Sequence, residues 1–445
     1  MKIKSEFIRN VITLMTGTTI AQAIPIALSP VLSRLYTPEE FGLFALFASV
    51  VGIISVIATG CYELAIVLPE KDEDAINIIA LSLILAFIVS AVSFLVICLF
   101  NSEISDLLNN PEISIWLYFV PFAVFFIGTY QSFNYWLNRK KQFRKMAYGR
   151  ITQNTAMAGT KLSLGFGGAG ASGLMTGNIF GGFVGTGLLG WLTLRDDSFK
   201  LRLISKKAII TQAIRYKRFP IFASWSGFLN AASVQVPIIL LTSLFSATSA
   251  GLYYYSHKLL SMPMSLLGMS IGQVFFQKAS EHKDNPEKLK EITFLVYKKL
   301  LYIGVLPLAL IMVYGDFIFG FVFGSDWVTA GQYARVLSPW ILFVFISSPL
   351  STLFDVLGKQ KEELFFNVFI FLARITALLT GYLFFHDAYV AVILFGFTGA
   401  LMWLGYSIYL LNMVHVDYIE SLVFTLIIIL GTGGIMFLSR YFLGV

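Results

Sequence analysis

Charge is scarce in this chain: Asp, Glu, Lys and Arg make up only 13% of its 445 residues, where soluble domains carry roughly 25%. A water-soluble protein of this length needs a polar surface, so the deficit excludes one and leaves lipid as the solvent. Cysteine is nearly missing. The two present, Cys61 and Cys98, both lie in apolar stretches. That excludes a disulfide framework and cysteine-based metal spacing, and both read as small buried hydrophobes. Histidine is limited to four residues, and no zinc spacing, nucleophilic triad or paired catalytic carboxylates occur. The expectation is therefore no enzyme, no metal and no cofactor. No cleavable signal peptide is evident either. Met1-Lys-Ile-Lys-Ser-Glu6 leads into a segment too long for an h-region and without a small-residue cleavage site, so the first span is expected to remain in the mature protein.

What the chain has in abundance is apolar length. Hydrophobic residues reach 57%, with 42 phenylalanines. A spanning helix takes about 20 apolar residues, and the segments between residues 8 and 440 read as about twelve or thirteen such helices. Among them are 41–68 (second), 146–166 (fifth), 251–277 (eighth) and 364–385 (eleventh). The net charge of +7 is no nucleic-acid footprint, because the basic residues fall in alternate loops. Arg139 to Arg150 follow the fourth span, Arg195, Lys200 and Lys206 to Arg218 the sixth, and Lys278 to Lys299 the eighth, while Lys2, Lys4 and Arg9 flank the first. Basic loops lie on the cytoplasmic side, which places the N-terminus in the cytoplasm of a multi-pass inner-membrane protein. The remaining loops are short and carry almost no Lys or Arg, Arg34 and Arg335 being the exceptions.

The chain also repeats weakly. Thr37-Pro-Glu-Glu-Phe-Gly-Leu-Phe44 opens the second span and Ala247-Thr-Ser-Ala-Gly-Leu-Tyr-Tyr254 the eighth, with Gly42 aligned to Gly251. The division this suggests is an N-terminal lobe at 1–194, a basic cytoplasmic linker at 195–216, a C-terminal lobe at 217–412 and an additional helix at 413–445. Parallel repeats of this kind occur in transporters.

Ionisable groups inside a span are costly and usually face a cavity. Four cations are substrate-binding candidates: Arg34 closing the first span, Lys161, Lys258, and Arg374 near mid-span. Lys161 is also close enough to its helix end to snorkel, and Arg34 reads equally as an interface anchor. Cations lining a wet cavity suit a diphosphate, which pairs bidentately with arginine. Two ion-coupling candidates stand beside them, Glu63 and His257; each reads as well as a structural ion pair or a packed, hydrogen-bonded ring. Pro25, Pro237 and Pro263 are hinge candidates, because proline interrupts helical hydrogen bonding. The glycines at 177, 181 and 185 have the spacing of tight helix packing rather than of a nucleotide loop, since no Gly-Lys-Ser/Thr follows. Asp72-Glu-Asp74 reads as a solvated helix start.

Three strings carry a family likeness: Pro30-Val-Leu-Ser-Arg-Leu-Tyr-Thr-Pro-Glu-Glu-Phe-Gly-Leu-Phe44, Tyr62-Glu-Leu-Ala-Ile-Val-Leu-Pro69, and Leu259-Leu-Ser-Met-Pro-Met-Ser-Leu-Leu-Gly-Met-Ser-Ile-Gly-Gln-Val-Phe-Phe276. With the span layout, residues 8–412 resemble the bacterial polysaccharide-biosynthesis flippases of the MOP exporter superfamily. The resemblance implies an all-α, MATE-like membrane fold of two six-helix lobes in a V. It implies export of undecaprenyl-pyrophosphate-linked oligosaccharide for O-antigen, lipopolysaccharide or capsule, by rocking between inward and outward states. The partners it implies are that lipid-linked glycan, membrane lipids, H+ or Na+ as coupling ion, and polysaccharide polymerase and chain-length proteins. Arg34 and Lys258 fall on the family's cationic positions. Three departures stand out, one of them a thirteenth span beyond the family's twelve-helix pattern. Cys61 replaces the arginine members commonly carry before the Tyr-Glu pair, and Lys258 stands where arginine is frequent. A drug or cation antiporter and a lipid II flippase are the rival exporters. A polysaccharide polymerase or lipid-linked glycosyltransferase is the rival from another class, and the short outer loops disfavour it.

Overall fold

A computed structural model describes residues 2–197 and 202–443, with backbone alone at 2–15, 18, 196, 197, 418 and 443. Lys200 and the side chains of Lys2, Lys4 and Arg9 lie outside that description. The chain is all-helical, and its helices run as α1 Lys2–Leu35, α2 Pro38–Ser55, α3 Asp72–Leu107, α4 Val120–Arg139, α5 Phe143–Phe166, α6 Ala171–Asp197 and α7 Lys206–Arg215. There follow α8 Ser224–Leu244, α9 Ala247–Glu281, α10 Pro286–Phe323, α11 Val328–Leu350, α12 Gln360–Thr380, α13 Ala388–Met413 and α14 Tyr418–Leu443. Ten of the described helices are long and apolar enough to cross a membrane. Of the other long helices, α1 has an apolar described stretch at Thr19–Leu35, and α5 packs against both α1 and α6. Large apolar side chains such as Phe87, Leu95 and Leu99 on α3 are exposed on the protein surface, which only lipid makes tolerable.

Two compact units divide the chain at Gly251 and Leu252. In the first, α5 is clamped between α1 and α6. The glycine spacing of α6 does what its pattern predicts. A Cβ would come within 2.5 Å of Lys161 Cγ at Gly177, 2.7 Å of Met157 Cβ at Gly181 and 2.9 Å of Gln153 Cβ at Gly185, so only glycine permits this backbone approach. Asn154 Nδ2 donates to the Ala21 carbonyl of α1 at 2.6 Å. The start of α3 is not merely solvated: Asp72 pairs with Arg139 at 3.0 Å and with Lys140, and Asp74 accepts from Gln212 of α7 at 2.6 Å.

The second span is not one helix. α2 stops at Ser55, the chain turns, and Gly60 and Cys61 take left-handed φ of 58° and 57° before a 3-10 turn over Tyr62–Val67. Hydropathy carries through this break because its residues are still apolar. Below it, Tyr62, Ile66, Ile78, Ile79 and Trp136 form a core, and Arg139 caps the freed carbonyls of Ile66, Val67 and Glu70. Cys61 is buried as expected, but Cys98 is exposed, because it lies among the outward-facing residues of α3 rather than in a core.

In the second unit α11 packs along α10 and α13, and α12 lies against α13. α14 joins α10 through an ion cluster: Asp316 takes Arg335 at 2.9 Å and Arg440 at 3.0 Å. This pairing accounts for Arg335, the basic exception among the short loops. α1 and α9 run as continuous helices through Pro25 and Pro263. α8 likewise continues through Pro237, and irregular helical geometry occurs in π turns at Phe219–Ala223 and Gly381–Phe385 and at Phe100 within α3.

Candidate functional site

Each helix N-terminus of the aligned pair is built alike. Thr37 caps α2 by accepting from the Glu40 amide at 3.3 Å, and Ser246 accepts from the Ser249 amide at 3.1 Å ahead of α9. Five residues beyond each cap stands the aligned glycine, and the two meet: a Cβ on Gly251 would lie 2.7 Å from the Gly42 amide nitrogen. Two residues further on, Phe44 and Tyr253 occupy equivalent places. Each has an intramembrane cation for a neighbour, supplied by the fifth long helix of its repeat.

In the first unit that cation is Lys161 of α5. It is buried, at 6% exposure, and its Nζ sits 4.3 Å from the Phe44 ring centroid. Tyr36, between α1 and α2, donates its hydroxyl to the Lys161 carbonyl at 2.6 Å. The side chain therefore turns inward rather than along α5 to the headgroups.

In the second unit the cation is Arg374 of α12, roughly 20 Å from the helix start at Gln360 at 1.5 Å per residue. Its guanidinium carbon lies 3.8 Å from the Trp340 ring centroid (α11) and 4.0 Å from that of Phe395 (α13). Both faces of the planar group are thus covered by π clouds. The rings pack at 5.5 Å centroid separation, and Tyr253 closes on Phe395 at 5.7 Å. Stacking on both faces leaves only the edge of the guanidinium for hydrogen bonding. Two donors in this cluster, Arg374 Nε and Trp340 Nε1, are buried without an acceptor in the protein. Unmet buried donors are costly, and an oxyanion is the group that satisfies several at once.

His257 belongs to the same cluster, stacked between Tyr253 at 5.7 Å and Trp340 at 5.3 Å, with Nε2 3.3 Å from Ser261 Oγ. Lys258 does not. One residue on, it points around the helix, donates to the Tyr254 hydroxyl at 3.1 Å and lies over that ring. Arg34 is exposed in the last turn of α1. Glu63 sits in the turn below α2, where its carboxylate accepts from Thr59 Oγ1. Among the described residues no group of three or more His, Cys, Asp or Glu could hold a metal. Sequence reasoning missed Trp340 and Phe395. A lone aromatic in an apolar run carries no signal, and only the packing of three helices marks these two.

The site is thus a helical membrane fold in which two cations inside the helices, Lys161 and Arg374, stack on aromatic rings. Solved structures agree on the fold. An inward-facing multidrug resistance MATE family transporter of the MOP superfamily superposes with a TM-score of 0.70 at 16% identity, over 90% of this chain and 94% of that one. The lipid II flippase MurJ, in its inward closed conformation, gives 0.66 at 15%, over 96% and 92%. The polysaccharide biosynthesis protein family model matches residues 31–332, and the chain belongs to that family. Among curated relatives, the lipopolysaccharide biosynthesis protein WzxC of Escherichia coli (strain K12) is 22% identical over 379 residues, 82% of this chain and 73% of WzxC.

Proposed function

We propose that this protein flips an undecaprenyl-pyrophosphate-linked oligosaccharide repeat unit across the bacterial inner membrane, by alternating access, for surface polysaccharide such as O-antigen or capsule. One observation carries the reading. Arg374 is stacked on two rings with its Nε, and the neighbouring Trp340 Nε1, lacking an acceptor. A diphosphate offers such an edge several oxygens, and burial among aromatics strengthens each bond. Lys161 over Phe44 supplies a second intramembrane cation. The family and the likeness to WzxC point to a surface-glycan substrate. The basic loops argue for a cytoplasmic N-terminus, and Glu63 and His257 remain the groups we assign to H+ or Na+ coupling.

Arg374→Ala is expected to abolish surface glycan while the protein inserts at its normal level in the membrane fraction. Arg374→Lys is expected to restore export only in part, because an ammonium cannot stack as a planar fork. Wild-type glycan in Arg374→Ala cells would overturn the proposal. In vesicles loaded with the lipid-linked glycan, collapse of the proton or sodium gradient is expected to stop accumulation. Flipping that continues unchanged would make the protein a facilitator.

A further inference from the structure

The strongest feature outside the cation sites is α7, which no transport step uses. Its inner face is held by hydrogen bonds. Gln212 is buried and bonds Asp74 at 2.6 Å, Ser205 N donates to Asn77 Oδ1 at 3.0 Å, and Tyr62 donates its hydroxyl to the Ala213 carbonyl at 2.9 Å. These bonds hold α7 against the first turns of α3, where that helix enters its apolar stretch. On its other side only Tyr216, Lys217 and Arg218 separate α7 from the next span, which begins at Phe219. The helix is thereby held between the starts of two apolar spans.

Its outer face is amphipathic. Ile210 and Ile214, one turn apart, are 50% and 63% exposed. Lys206 and Lys207 lie one turn before Ile210, and Arg215 follows Ile214, all exposed. α7 contains no acidic residue, and among the described residues none of these three cations forms an ion pair. Ile221, Phe222 and Trp225 at the start of the neighbouring span are exposed as well.

We infer that this face of α7 binds the anionic glycerophospholipid headgroups of the leaflet on the basic-loop side, the isoleucines dipping into the acyl boundary and the cations meeting phosphates. Apolar side chains flanked by long basic stems are the composition of an interfacial helix. Each Lys or Arg near an anionic surface is worth about fivefold in partition. Neutralising three therefore weakens the attraction on the order of a hundredfold.

The full chain, with Cys61→Ala and Cys98→Ala, carries a nitroxide at Ile210→Cys and is reconstituted into phosphatidylcholine bilayers with or without phosphatidylglycerol. With phosphatidylglycerol, collisions with oxygen are expected to rise several-fold over collisions with a water-soluble nickel chelate. The Lys206→Gln, Lys207→Gln, Arg215→Gln variant is expected to lose that rise. A label at Asp284→Cys, on a solvated turn, serves as the water-exposed reference. All of these side chains except buried Cys61, where alanine removes only a thiol, are exposed, so the variants are expected to keep the fold, which unchanged melting curves check. An oxygen-to-nickel ratio independent of phosphatidylglycerol, or indifferent to the three charges, or equal to that at Asp284→Cys, overturns the inference. None of these readouts involves glycan transport, so they stand or fall apart from the substrate assignment.

Discussion

At the residue scale, the position of Arg374 is decided by surfaces rather than by charge partners. A cation–π contact contributes about 0.5 to 2 kcal/mol depending on desolvation, and Arg374 makes two, with Trp340 and Phe395. The arrangement separates holding the guanidinium from using it. Trp340→Phe keeps a ring beneath Arg374 but removes the indole donor. Its expected result is an unchanged melting temperature with a substrate KM raised about 10- to 100-fold, the worth of one hydrogen bond to a charged group. A KM that stays put would show that Nε1 never meets substrate. In the sequence Arg374 stood out because a mid-span arginine is rare. Its aromatic partners did not, since they come from helices far away in the chain. His257, which we assign to ion coupling, is stacked between Tyr253 and Trp340 in the same cluster.

At the element scale, α5 and α6 illustrate a pattern that spacing alone reveals. Gly177, Gly181 and Gly185 recur at four-residue intervals, and all three touch α5. Leucine at Gly181 must push α5 away, an overpacking that costs about 1 to 3 kcal/mol. Gly187, on the same helix, has nothing within 4 Å of a built Cβ. Gly181→Leu is therefore expected to lower the melting temperature in detergent, with Gly187→Leu indistinguishable from wild type. Equal behaviour of the two variants would refute the close-packing account. The break after α2 was not legible, because Ser55 to Val67 is mostly apolar and only Gly60 hints at a turn. The break depends on long-range partners: Arg139 reaching from α4 to cap carbonyls, and Tyr62 reaching to α7.

At the scale of the whole molecule, the last helix is fastened by charge. Asp316 bonds Arg335 and Arg440, and Tyr314 shares a hydrogen bond with Ser439 at 2.7 Å. Asp316→Asn leaves two arginines without their counter-charge. With Arg335 side-chain exposure at 36%, water screens much of the loss, and the cost is on the order of 1 kcal/mol. Faster hydrogen exchange confined to 418–443 is the expected sign; exchange unchanged there would show that apolar packing alone holds α14. Topology admits an equally direct check. In intact cells an impermeant maleimide is expected to label Ser325→Cys but not Lys283→Cys, and the opposite pattern would invert the orientation.

The membrane class, the helical content, the alternation of basic loops and the glycine seam followed from the sequence alone. Each rests on local composition or on a short period along one helix, which needs no knowledge of neighbours. Where α2 breaks, which side chains surround Arg374, how α7 presents its isoleucines and what Arg335 pairs with were decided by tertiary structure. Each of these joins residues distant in the chain, and such contacts exist only once separate helices have packed.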